Sequence, residues 1–415
     1  MLQKLFIAFR SRNYRLLFIG QGISLIGMWM QIIAMSWLVY RLTGSAFLLG
    51  IVGFSSQIPV FLLVSFAGVF IDRHNRHKIL LVTQSLAMLQ AFVLAARVLT
   101  NTITVWAIVI LSIILGLINS LDMPARQSFV LDIVEHREDV SNAIALNSSL
   151  FNGARLIGPA VGGILIAVAG EGICFTINGI TYLAVIFCLI SMKLNPLKIN
   201  KSETRVISDL REGFSYSIGY APIRHLLLLI AVVSLVGLPY TVLLPVFAAE
   251  ILPGGADTLG FLMTASGAGA LIGILYLASR ASVIGLGRIV GIAAGIFGAG
   301  LICFSLSRIL SLSIILIGVT GFGMMIQMAS SNTILQTIVD DDKRGRVMSL
   351  YTMAFAGIAP FGSLMAGAVA HGIGTPNTFL IGGACCIIAA VVFFIKFRSL
   401  RYTLHSKYIQ KASPS

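Results

Sequence analysis

The sequence predicts an all-α membrane protein whose twelve transmembrane helices form two six-helix pseudo-repeats. Three observations predict this. Of the 415 residues, 57% are hydrophobic and 11% charged, against roughly 25% charge in a water-soluble domain. Twelve apolar runs approach or exceed the roughly 20 residues that carry a helix across a bilayer. The second half also repeats the first at one constant offset. Gly68 falls on Gly273, Gly116 on Gly321, Phe129–Val134 on Ile334–Val339, and the charged turn Glu135–Ser141 on Asp340–Arg346.

In chain order the runs are Leu16–Tyr40, Phe47–Ile71, Ile79–Leu99, Thr104–Leu121, Ala143–Ala169 and Ile173–Leu194, then Ile223–Ala249, Thr258–Ala278, Ile289–Ser307, Leu310–Asn332, Val347–His371 and Thr378–Phe397. Most connections are a handful of residues. The long, polar, basic stretch 195–222 is the exception, and within it Ser208–Ser217 is expected to form a surface amphipathic helix. The chain thus divides into an N-terminal bundle (1–194), a cytoplasmic linker (195–222), a C-terminal bundle (223–397) and a basic cytoplasmic tail (398–415).

Lys and Arg set the orientation. With both termini inside, every Lys and Arg falls on the cytoplasmic segments except Arg41, Arg97, Arg308 and Arg155. This is the bias of an inner-membrane protein. Trp37, Tyr40 and Arg41 are placed to anchor the outer interface.

The net charge of +14 does not point to nucleic acid. The basic residues stand singly or in short clusters between apolar runs and make no continuous basic face. Cys174, Cys188, Cys303, Cys385 and Cys386 all lie in apolar runs without a C-x-x-C pair, and read as small buried hydrophobes. No cleavable signal peptide is expected. The histidines form no H-E-x-x-H or metal-spaced set, and no P-loop is present. No catalytic residue, resident cofactor or metal site is expected. Neither a selectivity loop nor charged rings suggest a channel.

The run from Gly68 to Lys78 reads Gly-Val-Phe-Ile-Asp-Arg-His-Asn-Arg-His-Lys. Gly68 is placed to let two helices approach. Asp72 is a carboxylate at the hydrocarbon edge and needs a cation or helix N-terminus. Arg73, Arg76 and Lys78 follow at once. Gly68, Asp72, Arg73 and Arg76, with Lys78 one place past the pattern's last basic position, resemble the G-x-x-x-D-R-x-G-R-[RK] loop between helices two and three of the major facilitator superfamily. Asn75 stands where the pattern has its second Gly, and Asn tolerates left-handed backbone. In the second half Leu277 stands where Asp would be. The resemblance extends over nearly the whole chain and implies the major facilitator fold, with two six-helix halves around a midplane pathway.

The fifth run contains Gly153, Gly158, Pro159, Gly162 and Gly163. These small residues with a Pro would distort the helix and admit a close neighbour. They resemble the G-x(4)-G-P-x-x-G-G signature of fifth helices in the antiporter branch, which implies export against a counter-ion. Tyr40–Ser45, Pro124–Gln127 and Arg344, Gly345 and Arg346 before helix eleven resemble one bacterial subgroup, the enterobactin-exporter-like and macrolide-efflux-like facilitators. In that resemblance Asp72 faces the dipole of helix eleven as an inner gate latch.

Three residues are candidates for coupling or for lining the pathway. Asp122, near the inner end of helix four, is the best protonation candidate. Arg126 lies four residues on and shares a helix face with it across Pro124. Arg155, inside helix five, carries a charge costing about 2.5–3.5 kcal/mol at the bilayer centre, so it needs a partner or a wet cavity. It either lines or gates the cytoplasmic half of the pathway, or forms a structural ion pair, for which Asp122 on an adjacent helix is a candidate, or snorkels toward the inner surface. The fourth-helix R-x-x-x-G of drug antiporters is absent. Among the polar helix residues, Gln31, Gln84, Asn178, Gln327 and Trp29 either line a cavity or bond between helices.

The resemblance implies a monomeric secondary transporter exporting a small organic molecule, a siderophore or amphipathic drug, with the proton as coupling ion. A lipid or lysolipid translocator, an importer of the same fold, and a membrane receptor or scaffold are the alternatives.

Overall fold

A computed structural model describes residues 7–194, 215–217, 219–280, 285–340 and 343–412. All twelve runs are helices, and no strand occurs among the described residues. They are α1 Arg12–Thr43, α2 Ala46–Arg73, α3 Arg76–Leu99, α4 Val105–Ile133, α5 Val140–Ala169, α6 Glu171–Ile190, α7 Ala221–Ile251, α8 Ala256–Ala278, α9 Leu286–Leu306, α10 Leu310–Ile338, α11 Arg344–Ile373 and α12 Thr375–Ala412. Most of the linker, including residues 208–214 of the expected surface helix, lies outside the described residues, as do Asp341 and Asp342 of the second charged turn.

Several helices outrun their apolar stretches. α4 continues from Leu121 through Pro124 to Ile133, because hydrophobicity marks only the part in hydrocarbon while backbone bonding runs on into water. The ends are set by local chemistry. Ser11 caps α1, accepting from the Tyr14 N–H at 3.5 Å, and Gly44 closes it in left-handed backbone at φ 58°. Asn75, expected to supply left-handed backbone, does something else. It is extended at φ −71°, ψ 109°, and its side-chain oxygen accepts from the Lys78 N–H at 3.2 Å, capping α3. The turn works because Asn caps a helix start well, and no second Gly is needed. α7 and α11 each carry π-helical segments, at Val233–Gly237 and Phe247–Ile251 in α7 and at Met353–Gly357 in α11. Such wide turns inside helices often mark functional positions.

The chain forms two compact units. The first gathers Met1–Gly44, Ser55–Thr204 and Gly254–Thr264; the second gathers Ser45–Phe54, Arg205–Pro253 and Ala265–Ser415. In the first unit an apolar core of Tyr14, Leu17, Ile71, Leu80, Phe129 and Leu189 closes the end where α1 begins. The Tyr14 hydroxyl donates to the Ala143 carbonyl at 2.9 Å. In the second unit Phe247, Phe304 and Phe379 stack together with centroids 4.3–5.8 Å apart. Large apolar side chains such as Phe66, Trp106 and Phe187 face outward, as a chain solvated by lipid requires. Gly116 in the first unit and Gly321 in the second each sit against a neighbouring backbone carbonyl, Ser56 and Ser266 respectively. The sequence repeat is therefore also a packing repeat.

Candidate functional site

The first unit holds a buried polar centre built from α1, α3, α4 and α6. Asp122 on α4 is 2% exposed. Its Oδ1 accepts from the Thr83 hydroxyl at 2.8 Å and the Gln84 amide at 2.7 Å, both on α3. Its Oδ2 is paired with Arg126 Nη2 one turn further along α4. The expected Asp122–Arg126 pair is therefore formed, and Pro124 does not disrupt it. The Arg126 Nε is buried without an acceptor. Beside the pair lies a cavity of about 10 Å³, room for about one water molecule, lined in part by Ser24, Met28, Asn119 and Tyr182. In the same unit, Asn178 on α6 donates to Gln31 on α1 at 2.5 Å, and Gln31 donates to Gln90 on α3 at 3.2 Å. These amides bond between helices, which is how buried polar groups are satisfied without water.

Arg155 does not pair with Asp122. Its guanidinium lies over the Trp29 ring on α1, 5.8 Å from the centroid, and Phe151, one turn before Arg155 on α5, meets Trp29 edge-on at 5.8 Å. The expected ion pair fails because Asp122 is already filled by Arg126, Thr83 and Gln84. α5 is seated on α1 through Gly158, where a Cβ would stand 2.5 Å from the Trp29 Cβ. At Gly163 a Cβ would stand 2.9 Å from the Gly260 Cα of α8. Gly158, Pro159, Gly162 and Gly163 are buried, while a Cβ at Gly153 would have nothing within 4 Å. Four of the five signature residues thus share one packing role.

The loop residues separate in the same way. Arg76 is the hub. Its Nη1 donates to both Asp132 oxygens at 2.8 and 3.0 Å, and its Nη2 donates to Asp72 at 3.1 Å. The needed cation for Asp72 is present, but the less exposed partner in the arrangement is Asp132 on α4, which nothing in the loop pattern indicates. Gly68 does not serve close approach here, since a Cβ there would meet open space. Arg73 and Lys78 are exposed. In the second unit, Arg344 and Gly345 are exposed in the first turn of α11 and Arg346 is half-buried. Nearby, the Tyr216 hydroxyl donates to Asp340 at 3.0 Å and Lys343 lies over the Tyr216 ring at 4.6 Å. Burial, and then the Asp340 carboxylate, push the Tyr216 phenol up to about 12.

Outside the polar centre, Arg41 and Glu171 form a two-pronged pair at 2.7 and 3.1 Å. Cys174, Cys188 and Cys386 are buried as expected, whereas Cys303 is exposed. Among the described residues no three His, Cys, Asp or Glu side chains come together to hold a metal ion. Residue type alone does not single out one feature of the second unit. Gln327 on α10 occupies the repeat position of Asp122; it is fully buried, and both its side-chain polar atoms lack a partner. The constant offset between the halves is the signal that marks it.

Residues 4–410 match the family model of the transmembrane secretion effectors, MFS_3. The chain belongs to this family of major facilitators. Among curated relatives of this secretion effector, the staphyloferrin A transporter of Staphylococcus aureus is 28% identical, over 91% of this chain and 95% of that one. The multidrug efflux pump Tap of Mycolicibacterium fortuitum is 24% identical over 89% and 92%. Macrolide efflux protein A of Streptococcus pyogenes is 22% identical over 90% and 93%. Among solved structures, the nucleoside transporter NupG superposes with a TM-score of 0.71 at 13% identity, over 93% of this chain and 99% of that one. A D-xylose–proton symporter gives 0.71 at 15%, over 92% and 97%. At such identities these structures show the fold alone, that of the major facilitators; the family match makes the effector a multi-pass membrane transporter.

Proposed function

We propose that this secretion effector exports a small organic molecule, a siderophore or amphipathic drug, across the inner membrane by alternating access, in exchange for protons. The observation that carries the reading is a carboxylate, Asp122, buried within a spanning helix of a chain matched end to end by secretion effectors. The names of the curated relatives, a siderophore transporter and two efflux proteins, support the substrate class. Protonating Asp122 cancels its charge and leaves Arg126 an uncompensated cation. That is a large local change in a low-dielectric site, suited to tipping a two-state protein. The cytoplasmic placement of both termini belongs to this proposal.

Inside-out vesicles test it. A panel of fluorescent drugs and catecholate siderophores is offered with and without a pH gradient. Uptake that collapses with a protonophore is the expected result. Folded protein that concentrates no compound would contradict the exporter reading and favour a lipid translocator or an importer.

A further inference from the structure

The polar centre accounts for Asp122 and Arg126, and leaves Arg155 without a role. Arg155 lies half-way along the 30-residue α5, so a helix spanning a hydrocarbon layer of roughly 30 Å holds it near mid-membrane. A guanidinium there is retained only for a partner, a wet cavity or a function. Among the described residues no carboxylate pairs with it and no acceptor takes its hydrogen bonds; its one contact of note is the Trp29 face. Asp122, the buried carboxylate of α4, has its oxygens taken by Thr83, Gln84 and Arg126. The Trp29 Nε1–H is itself buried without an acceptor. Both groups are donors only. The site is thus two unfilled donors, one of them charged, on an aromatic platform. Gly158 fixes its geometry by seating α5 against Trp29.

We infer that Arg155 and Trp29 form the recognition point for an organic anion, whose carboxylate takes the guanidinium fork and the indole N–H. The inference rests on the exporter reading for its physiological meaning and deepens it by naming the substrate charge. The cation–π contact keeps the guanidinium beside the Trp29 ring, and a guanidinium fork can bind a carboxylate through two hydrogen bonds. A neutral acceptor such as an ester carbonyl can take a hydrogen bond here but does not balance the guanidinium charge, and a cation is repelled by it, so both bind more weakly than a carboxylate.

Trp29 is its own reporter. The chain has three Trp, and replacing Trp37 and Trp106 by Phe in the full-length protein leaves Trp29 alone. Titration with tricarballylate, a simple tricarboxylate, is expected to change Trp29 emission saturably, while its neutral trimethyl ester does so more weakly. Arg155→Gln should weaken the response by about tenfold or more, the scale of losing a charge-assisted hydrogen bond. Arg155→Lys should recover part of it, because charge is kept and the fork is lost. Because Arg155 itself touches the reporter ring, the fold of Arg155→Gln is checked independently, by far-UV circular dichroism and size-exclusion elution matching the parent. Equal responses to acid and ester, no response to the acid, or an unaltered response in Arg155→Gln would each overturn the inference. If vesicles export a cationic dye while tricarballylate leaves Trp29 unchanged, the anion site falls and the exporter reading stands. If tricarballylate binds but no compound is moved, the site stands and the exporter reading falls.

Discussion

Asp122 takes its cationic partner, Arg126, from the next turn of its own helix, and its two neutral donors from α3. Neutralising a carboxylate so arranged disturbs its partners on both α3 and α4. Asp122→Asn should lower thermal stability by about 3–5 kcal/mol, the cost of stripping one partner from a buried pair. Asp122→Asn with Arg126→Gln should lose less than the sum of the two single changes, because no buried charge is then left alone. Thermal melts of the four proteins give the coupling. Strict additivity would mean that the pair does not interact.

The helix-five signature makes a sharper steric statement. Gly158→Val puts its side chain into the Trp29 backbone and Cβ, and should cost about 1–3 kcal/mol as overpacking does. Gly153→Ala enters open space and should stay within about 0.5 kcal/mol of the parent. Comparing their melting temperatures separates a packing motif from a generally conformational one. Equal effects would contradict it.

At the loop between α2 and α3, Arg76 matters more than Asp72. Asp72 is half exposed, whereas Asp132 is 12% exposed. Asp72→Asn should therefore change stability by at most about 1 kcal/mol. Arg76→Ala, which strands Asp132, should cost about 1–3 kcal/mol. Urea or thermal titration of both variants checks the order.

Tyr216 carries a pH signature outside the membrane. Its phenol is pushed up to about 12 by burial and by Asp340. The raised value means that the protonated phenol stabilises the folded arrangement. That contribution is fully present below the ordinary tyrosine value of about 10 and is lost as pH rises through about 12. Tyrosinate difference absorbance between the parent and Tyr216→Phe should show one tyrosine titrating near 12 and not near 10.

Much of this is legible in the amino acids. The twelve apolar runs follow from their length against the bilayer, the constant offset from the chain's own repeat, and the Asp122–Arg126 spacing from helix periodicity. What is not legible depends on helix rotation and on competition between partners. Nothing in α3 marks Thr83 and Gln84, rather than their neighbours, as the residues facing Asp122. Arg155 can be placed on a helix but not on Trp29, because the identity of its partner depends on Asp122 being filled already. Gly68 reads as a close-approach residue by type, whereas its local surroundings are open. Asn75 reads as a source of left-handed backbone, whereas its side chain caps α3 instead. The extension of α4 to Ile133 escapes hydropathy because hydropathy ends where the hydrocarbon does.

The central claim is proton-coupled export through Asp122. Its most direct test is proton movement in proteoliposomes, with a pH-sensitive dye in the lumen and a transported compound added outside. The account predicts compound-dependent proton flow opposite to compound uptake, abolished in Asp122→Asn while that protein remains folded. Compound uptake without proton flow, or undiminished proton flow in Asp122→Asn, would contradict it.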